Sequence, residues 1–451
     1  MANVAGPDPN ATYWTTPFKT DRPFRSLTIR GTYPEARNIS FVVYNSSGGD
    51  FTEKVRGKTV GSALTDYEIA PDRGSVNPWQ VDSVPPGRGM NFTVRIRRGV
   101  TAGEQKRLNA IPMVDTEPVE QNPIAPEDVG FVTFRTYVPS GGNKTVKLPT
   151  VIVNRTVERH GRHSRPRVAH IQLPTCNSAR IAHAAKVSGA LKQIAAKVKG
   201  EAVPTTPVTP CTVDGQPRYS NGCAKPLEWS QSSSDQVGAL FPDPSNAYIS
   251  MYFYPSPGTV VVTRGLMPTT PRAAGSGELG NSIGATPVDW TAAPLPYQLR
   301  YWSVNNYLLK EPYPVVTEGV GPNRRYGGTA DYQTAVDANG YYTVVSSLPG
   351  DKPSSASLAA NSATWIPMQG DQPSVAESQW MRNMMGESFQ YAIQQIPHAA
   401  SPTEYIPSSV VAQVMGPYYP TSAQCPVSVF EAQGTGGCLA VSSPATGPTG
   451  D

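Results

Sequence analysis

The sequence predicts an all-β-dominated protein: two antiparallel β-sandwich-like domains, related by duplication, with a connecting helix and a small helical C-terminal part. Three observations carry this. Glycine (40) and proline (46) are frequent among the 451 residues, and proline breaks helix interiors, so long helices are excluded. Short runs of alternating or β-branched residues recur between turn signals from residue 25 onward. Motifs of the first half return, in order, in the second. At ~150 residues per domain the length allows two or three domains. The reading divides the chain into an N-terminal extension (1–24), a first β domain (25–153), a basic connector (154–200) with a helix over 177–199, a second β domain (201–370) and a helical, disulfide-looped C-terminal region (371–451).

In the first domain, residues 25–30 and 92–97 alternate polar and apolar side chains, as half-buried strands do. Residues 38–44 are β-branched and aromatic and end at the turn Asn45-Ser46-Ser47-Gly48-Gly49. Residues 131–138 and 145–153 complete the set. In the second domain strands are expected at 248–253, 259–263 and 299–304. Residues 332–335 and 341–346 flank Asp337-Ala338-Asn339-Gly340, a hairpin turn signal. Further on, 379–385 and 388–394 read as two short helices around Gly386. Residues 409–414 read as a third, shorter turn or strand, and 415–440 as a Pro/Gly/Cys loop.

Four short matches relate the halves. Thr28-Ile29-Arg30-Gly31-Thr32-Tyr33-Pro34 resembles Val262-Thr263-Arg264-Gly265-Leu266-Met267-Pro268. Residues 39–45 align with 300–306, Asp66-Tyr67 with Asp331-Tyr332, and Asn91-Phe92-Thr93-Val94 with Tyr341-Tyr342-Thr343-Val344. In both Arg-Gly-x-x-Pro motifs glycine ends the strand and proline sets the return turn.

Arg264-Gly265 with Pro268-Thr269-Thr270-Pro271, Arg300-Tyr301-Trp302-Ser303, Asp331-Tyr332-Gln333, and Gly340-Tyr341-Tyr342-Thr343-Val344-Val345 form one motif set. With Tyr33-Pro34-Glu35-Ala36-Arg37, Pro71-Asp72-Arg73-Gly74-Ser75-Val76-Asn77-Pro78 and Met415-Gly416-Pro417-Tyr418-Tyr419-Pro420, it resembles a family of exported β-rich proteins with no assigned activity. The resemblance runs over most of residues 25–438. It implies a β fold and export, and adds no catalytic residue.

The formal charge of +4 is unevenly placed. Residues 151–200 hold ten Lys/Arg and one acid, Glu158, for a local +9, so the rest of the chain carries −5. Four of five histidines lie in the same window. Arg159, Arg162, Arg165 and Arg167 read as an exposed loop. Asn177 or Ser178 caps a helix whose end, with Lys192 and Lys197, is stopped by Gly200. These six cations are the candidates for binding a polyanion. No aromatic residue lies in 154–200, which disfavours nucleic acid. The competing readings are a solvated docking segment and a proteolytic site.

Cys211 pairs by proximity with Cys223, and Cys425 with Cys438, each across about a dozen residues. Disulfides there imply an oxidising compartment; reduced thiols in a cytosolic protein are the competing reading, and Cys176 is left over. Asn-x-Ser/Thr triplets at Asn10, Asn38, Asn45, Asn91, Asn143 and Asn154 are glycan candidates for an exported protein. No run of ~18 apolar residues predicts a membrane span.

No catalytic site is predicted. Gly280-Asn281-Ser282-Ile283-Gly284 matches the hydrolase elbow pattern but lacks the strand before it and the helix after it. Asp66, Asp72, Asp331 and Asp337 occupy equivalent places and suit turn-capping better than paired-carboxylate catalysis. No spacing for zinc, a phosphate loop or an EF-hand occurs, so no metal or cofactor is expected. The expected function is a non-enzymatic binding or assembly protein of the cell surface or exterior, glycosylated, with a second copy or a glycan as partner. A secreted polymer hydrolase and a polyanion-binding protein are the alternatives.

Overall fold

The structure, a computed structural model, describes residues 6–20, 24–81, 84–113, 128–139, 145–157, 167–173, 211–213, 216–218, 225–232, 241–271, 297–309, 313–319, 324–369, 376–397 and 405–441. It is mostly β. The first half contains β1 (Ala11–Lys19), β2 (Phe24–Thr32), β3 (Ala36–Tyr44), β4 (Thr52–Val55), β5 (Lys58–Gly61), β6 (Ala63–Thr65), β7 (Asn91–Arg97), α1 (Ala102–Leu108), β8 (Ala110–Pro112), β9 (Val129–Pro139), β10 (Thr150–Val157) and β11 (Arg167–Gln172). Then come the short pair β12 (Cys211–Val213) and β13 (Gln216–Arg218), and β14 (Gln231–Ser232). The second half contains β15 (Asn246–Phe253), β16 (Thr259–Leu266), β17 (Tyr301–Leu308), β18 (Thr317–Glu318), β19 (Arg325–Tyr326), β20 (Gly328–Ala330), β21 (Tyr341–Ser347), α2 (Ser355–Ala360), β22 (Ala363–Pro367) and β23 (Glu377–Met384). The chain closes with β24 (Tyr405–Ile406), α3 (Ser408–Met415), β25 (Thr421–Pro426) and α4 (Val427–Ala440).

Each half is a two-sheet sandwich, and the two share one topology apart from the extra edge strand β11 of the first. The inner sheets run β1-β9-β3-β6 and β15-β23-β17-β20; the outer sheets run β11-β10-β2-β7-β8 and β22-β21-β16-β25. In both outer sheets the last strand (β8, β22) is parallel to its neighbour, while the other pairings are antiparallel. Register repeats too: Gly31 sits opposite Phe92 as Gly265 sits opposite Tyr342. A Cβ on Gly31 would lie 2.6 Å from Phe92 Cζ, and one on Gly265 would lie 2.5 Å from the Tyr342 hydroxyl. Glycine is therefore required where an aromatic ring folds across the neighbouring strand.

Three of the four sequence matches fall in register. The second is displaced by two residues. Ser40 faces Thr65 as Ser303 faces Ala330, which places Arg37, not Ile39, at the position of Arg300. A two-residue slip leaves the alternation of faces unchanged, so pattern alone could not detect it.

Apolar clusters fill each sandwich: Leu27, Ile29, Phe41, Phe92 and Phe134 in the first, and Ile249, Val261, Trp302, Val344 and Met381 in the second. The inner sheets then bury their other faces against each other, with Tyr137, Val138, Tyr301 and Met384 between them. The result is four sheets in layers. Every residue of β3 and β9 is buried.

Several expected boundaries move. Residues 11–19, set off as an extension, are β1, which pairs with β9 along its whole length. Residues 150–157, cut by the expected domain end, are β10, and 167–172 of the expected connector are β11, paired to β10. Residues 379–384 form a strand, not a helix, and Met385 follows as a bend. Because β23 is buried on both faces, its apolar residues lack the period of two, and the Met-rich run mimics helix spacing. Residues 388–394 form turns with a single 3₁₀ turn at Ile393–Gln395. Residues 409–414 lie in α3, and β25 and α4 replace the expected 415–440 loop. Residues 332–335 are a turn rather than a strand. The connecting helix 177–199 lies outside the described residues.

Candidate functional site

Charged side chains concentrate in the seam between the inner sheets, where the repeats exchange them reciprocally. Arg37 Nη1 donates to Asp331 Oδ1 at 2.6 Å, and its Nη2 donates to the Pro271 carbonyl at 2.7 Å. In the mirrored position, Arg300 Nη1 donates to Asp66 Oδ2. A second couple repeats the exchange. Arg382 Nη1 donates to Asp8 Oδ2, and Arg135 Nη1 lies 3.9 Å from Asp243 Oδ2. In all four pairs the arginine comes from one repeat and the aspartate from the other. None of the eight residues is more than 3% exposed.

The local scaffold is duplicated with the charges. Pro7-Asp8-Pro9-Asn10-Ala11-Thr12-Tyr13 matches Pro242-Asp243-Pro244-Ser245-Asn246-Ala247-Tyr248. In each copy the aspartate carbonyl accepts from the N–H three residues on (Ala11, Asn246), so the segment turns directly into the first strand of its sheet. Tyr44 Oη donates to the Pro242 carbonyl at 2.6 Å, and Tyr307 Oη to the Pro7 carbonyl at 3.2 Å. Ser303 Oγ donates to Asp8 Oδ2 and Ser40 Oγ to Asp243 Oδ2. The Arg135 guanidinium lies over Tyr13 and Tyr44, and that of Arg382 over Tyr137 and Tyr248. This Pro-Asp-Pro repeat was legible in the sequence, but it precedes the first segments that read as strands.

Burial dominates the electrostatics. It pushes Asp66 and Asp331 up, against the pull of Arg300 and Arg37, and it pulls Arg300 down. Tyr13 is pushed up to about 12 by burial, with Arg382 opposing. Tyr137, Tyr301 and Tyr307 go well above the ordinary value for the same reason. These phenols stay protonated at neutral pH: Tyr301 donates to Asp8 and Tyr307 to the Pro7 carbonyl, while Tyr13 accepts from the Asp8 N–H and Tyr137 from the Asn246 side-chain amide. The seam's carboxylates are buried and held in ion pairs, closed to the substrate access that general acid–base chemistry requires. Its arrangement is that of a clamp: each buried charge is matched across the repeat boundary.

Asp72 and Asp337 stay outside the seam; Asp337 organises a turn, as expected, whereas the Asp72 side chain bridges to a strand. Asp72 Oδ2 accepts from Thr93 Oγ1 at 2.9 Å. Asp337 Oδ1 accepts from the N–H groups of Asn339 and Tyr341, and Oδ2 from Arg264 at 2.6 Å. Hydrogen bonding to Arg264 and Tyr341 holds the Asp337 carboxyl below its usual value.

The other sequence candidates divide. Cys425 on β25 and Cys438 on α4 are joined in a disulfide with Cα atoms 5.3 Å apart. Cys223 lies outside the described residues, as do the side chain of Cys211 and the 280–284 motif. Of the glycan candidates, Asn38 is wholly buried and donates to Asp66, and Asn154 is 8% exposed and donates to Ser26 and Thr28. A glycan on Asn38 would have to occupy packed interior, whereas Asn154 lies on the outward face of its sheet with Ser26 and Thr28, its amide tied to them. Asn10 accepts from Tyr332, and Asn45 caps the 45–49 turn. Asn91 is exposed, and Asn143 lies outside the described residues. Arg159, Arg162, Arg165, Lys192 and Lys197 also lie outside them, while Arg167 begins β11. Among the described residues no group of three or more His, Cys, Asp or Glu could hold a metal, and no helix is long and apolar enough to cross a membrane.

A cleft of about 400 Å³ opens where the N-terminal segment meets the second repeat. Asn10, Arg325, Tyr326, Gly328, Gln333 and Trp365 line it. Trp365 is held from two sides: its Nε1 donates to Ser347 Oγ at 2.8 Å, and the Lys352 ammonium lies 4.7 Å from its ring centroid.

No family model matches the chain, and no curated protein matches it. Among solved structures it is similar to an uncharacterized protein from Burkholderia cenocepacia, at a TM-score of 0.42 and 10% identity, covering 94% of this chain and 79% of that one.

Proposed function

We propose that the protein is a non-catalytic assembly protein of the cell surface or exterior, whose copies associate through the outer edge of the first sandwich. The observation that supports this is β11. It is the terminal strand of its sheet, and among the described residues no strand pairs with its outer side. Val168 is 39% and Ile171 43% exposed, two of the four large hydrophobic side chains exposed among the described residues. An unpaired edge bearing apolar side chains is a template for strand addition. The seam supports the non-catalytic half of the reading, because its carboxylates are consumed in buried ion pairs.

The test is sedimentation velocity of the whole protein across a concentration series, with electron microscopy of the same samples. Concentration-dependent assemblies should form, and Val168→Lys with Ile171→Lys should return them to monomers. Monomers of the unmodified protein at every concentration, or assemblies that survive both lysines, would end this reading.

A further inference from the structure

We infer that the cleft of the second repeat is a saccharide site, with Arg325 placed for an acidic sugar. The internal symmetry breaks at this cleft, which lies apart from the β11 edge. The shared register aligns Gly328 with Ala63 and Trp365 with Ala110, since β22 pairs with β21 as β8 pairs with β7. The β18–β19 ribbon, pairing Thr317 with Tyr326 and Glu318 with Arg325, corresponds to β4–β5, pairing Thr52 with Gly61 and Glu53 with Val60. The first repeat thus has Val60, Gly61, Glu68 and Ala110 where the second has Arg325, Tyr326, Gln333 and Trp365. The scaffold is common, and the lining of the cleft is not.

The substituted residues form a coherent set. Two aromatic side chains, Tyr326 and Trp365, are half-buried and keep part of their surface open. The indole N–H is already spent on Ser347, so Trp365 offers a face rather than a donor. Sugar rings present C–H faces that pack on such surfaces and hydroxyls that need fixed polar partners. Asn10 and Gln333 supply amides at the rim, each anchored by an existing bond: Asn10 Oδ1 to Tyr332, Gln333 Oε1 to the Ala330 N–H. Their amide nitrogens are the groups left to donate. Arg325 is exposed and makes no ion pair among the described residues. Among the described residues it is the only charged side chain of the lining, and its planar fork suits a carboxylate. A volume of about 400 Å³ lies within the roughly 300–1,000 Å³ of ligand clefts.

The experiment is calorimetric titration of the whole protein with trigalacturonate, and separately with maltotriose as the uncharged control. Trigalacturonate should bind. Arg325→Gln should weaken it about tenfold, the scale of one charge-assisted contact, and leave maltotriose unaffected. Tyr326→Ala, on an exposed ribbon, should weaken both sugars; Trp365→Phe tests the platform without opening a hole. No heat with either sugar at millimolar concentration, or trigalacturonate binding unchanged in Arg325→Gln and Tyr326→Ala, would overturn the proposal. Binding of maltotriose as tightly as trigalacturonate would overturn the acidic assignment.

Discussion

Removing one partner of the buried Arg37–Asp331 pair should cost far more stability than removing an exposed one. In Arg37→Met the Asp331 carboxylate loses a 2.6 Å charged hydrogen bond and keeps the 3.1 Å bond from the Trp302 N–H. The Pro271 carbonyl loses its 2.7 Å donor. Both charged side chains have no solvent exposure, so water does not replace what is lost. Breaking such a pair costs about 3–5 kcal/mol. Asp331 is also pushed up by burial, with Arg37 the main opposing influence. Without Arg37 the carboxyl should take up a proton more readily, and the variant should be relatively less impaired at acid pH. The double change Arg37→Met with Asp331→Asn removes both charges and should recover a large part of the loss. The internal control is Lys19–Asp128, with 65% and 34% exposure, where Lys19→Met should cost no more than about 1 kcal/mol. Urea unfolding followed by tryptophan fluorescence, at pH 7 and pH 5, measures all of these. A loss in Arg37→Met below about 1 kcal/mol, or strictly additive losses in the double variant, would refute the view of the seam as a clamp of matched charges.

Two further predictions follow from local geometry. Gly31→Ala and Gly265→Ala should each destabilise by about 1–3 kcal/mol through overpacking, and Phe92→Leu should partly relieve the first in urea unfolding, since the added methyl meets the Phe92 ring. Glu104 caps α1: its carboxylate accepts from the Thr101 N–H, the Thr101 hydroxyl and Arg97, which hold its pKa down to about 2. Its contribution to stability is therefore present above the ordinary carboxyl range and is lost as pH falls from about 4 toward 2. A carbon-detected titration should place its midpoint near 2 and move it upward in Thr101→Ala; an ordinary midpoint in the unmodified protein would contradict the capping account.

The β-rich class, the two halves and the strands β2, β3, β7, β9, β10, β15, β16, β17 and β21 were legible because each rests on local information: alternation, β-branched runs, turn residues and the recurrence of short motifs. The Cys425–Cys438 disulfide was legible from proximity in the chain. The Asp66 and Asp331 equivalence was visible too, but not their role. Turn-capping was expected because aspartate commonly does this. The partners that give these two carboxylates their meaning, Arg300 and Arg37, lie 234 and 294 residues away, and no local pattern links them. Strand β23 escaped for a related reason, since burial on both faces erases the alternation by which a strand is read. Asn38 illustrates the limit most plainly. Its triplet fits the same Asn-x-Ser/Thr pattern as that of Asn91, yet Asn38 lies in the seam and Asn91 in solvent. Sequence alone determined that this chain makes two similar β sandwiches, because strand and turn propensities act within a few residues. Tertiary structure decided that the sandwiches face each other through four exchanged ion pairs, and that a cleft opens in the second repeat where the N-terminal segment meets it. Those outcomes depend on which distant side chains share a dry interface, a property of packing rather than of any segment.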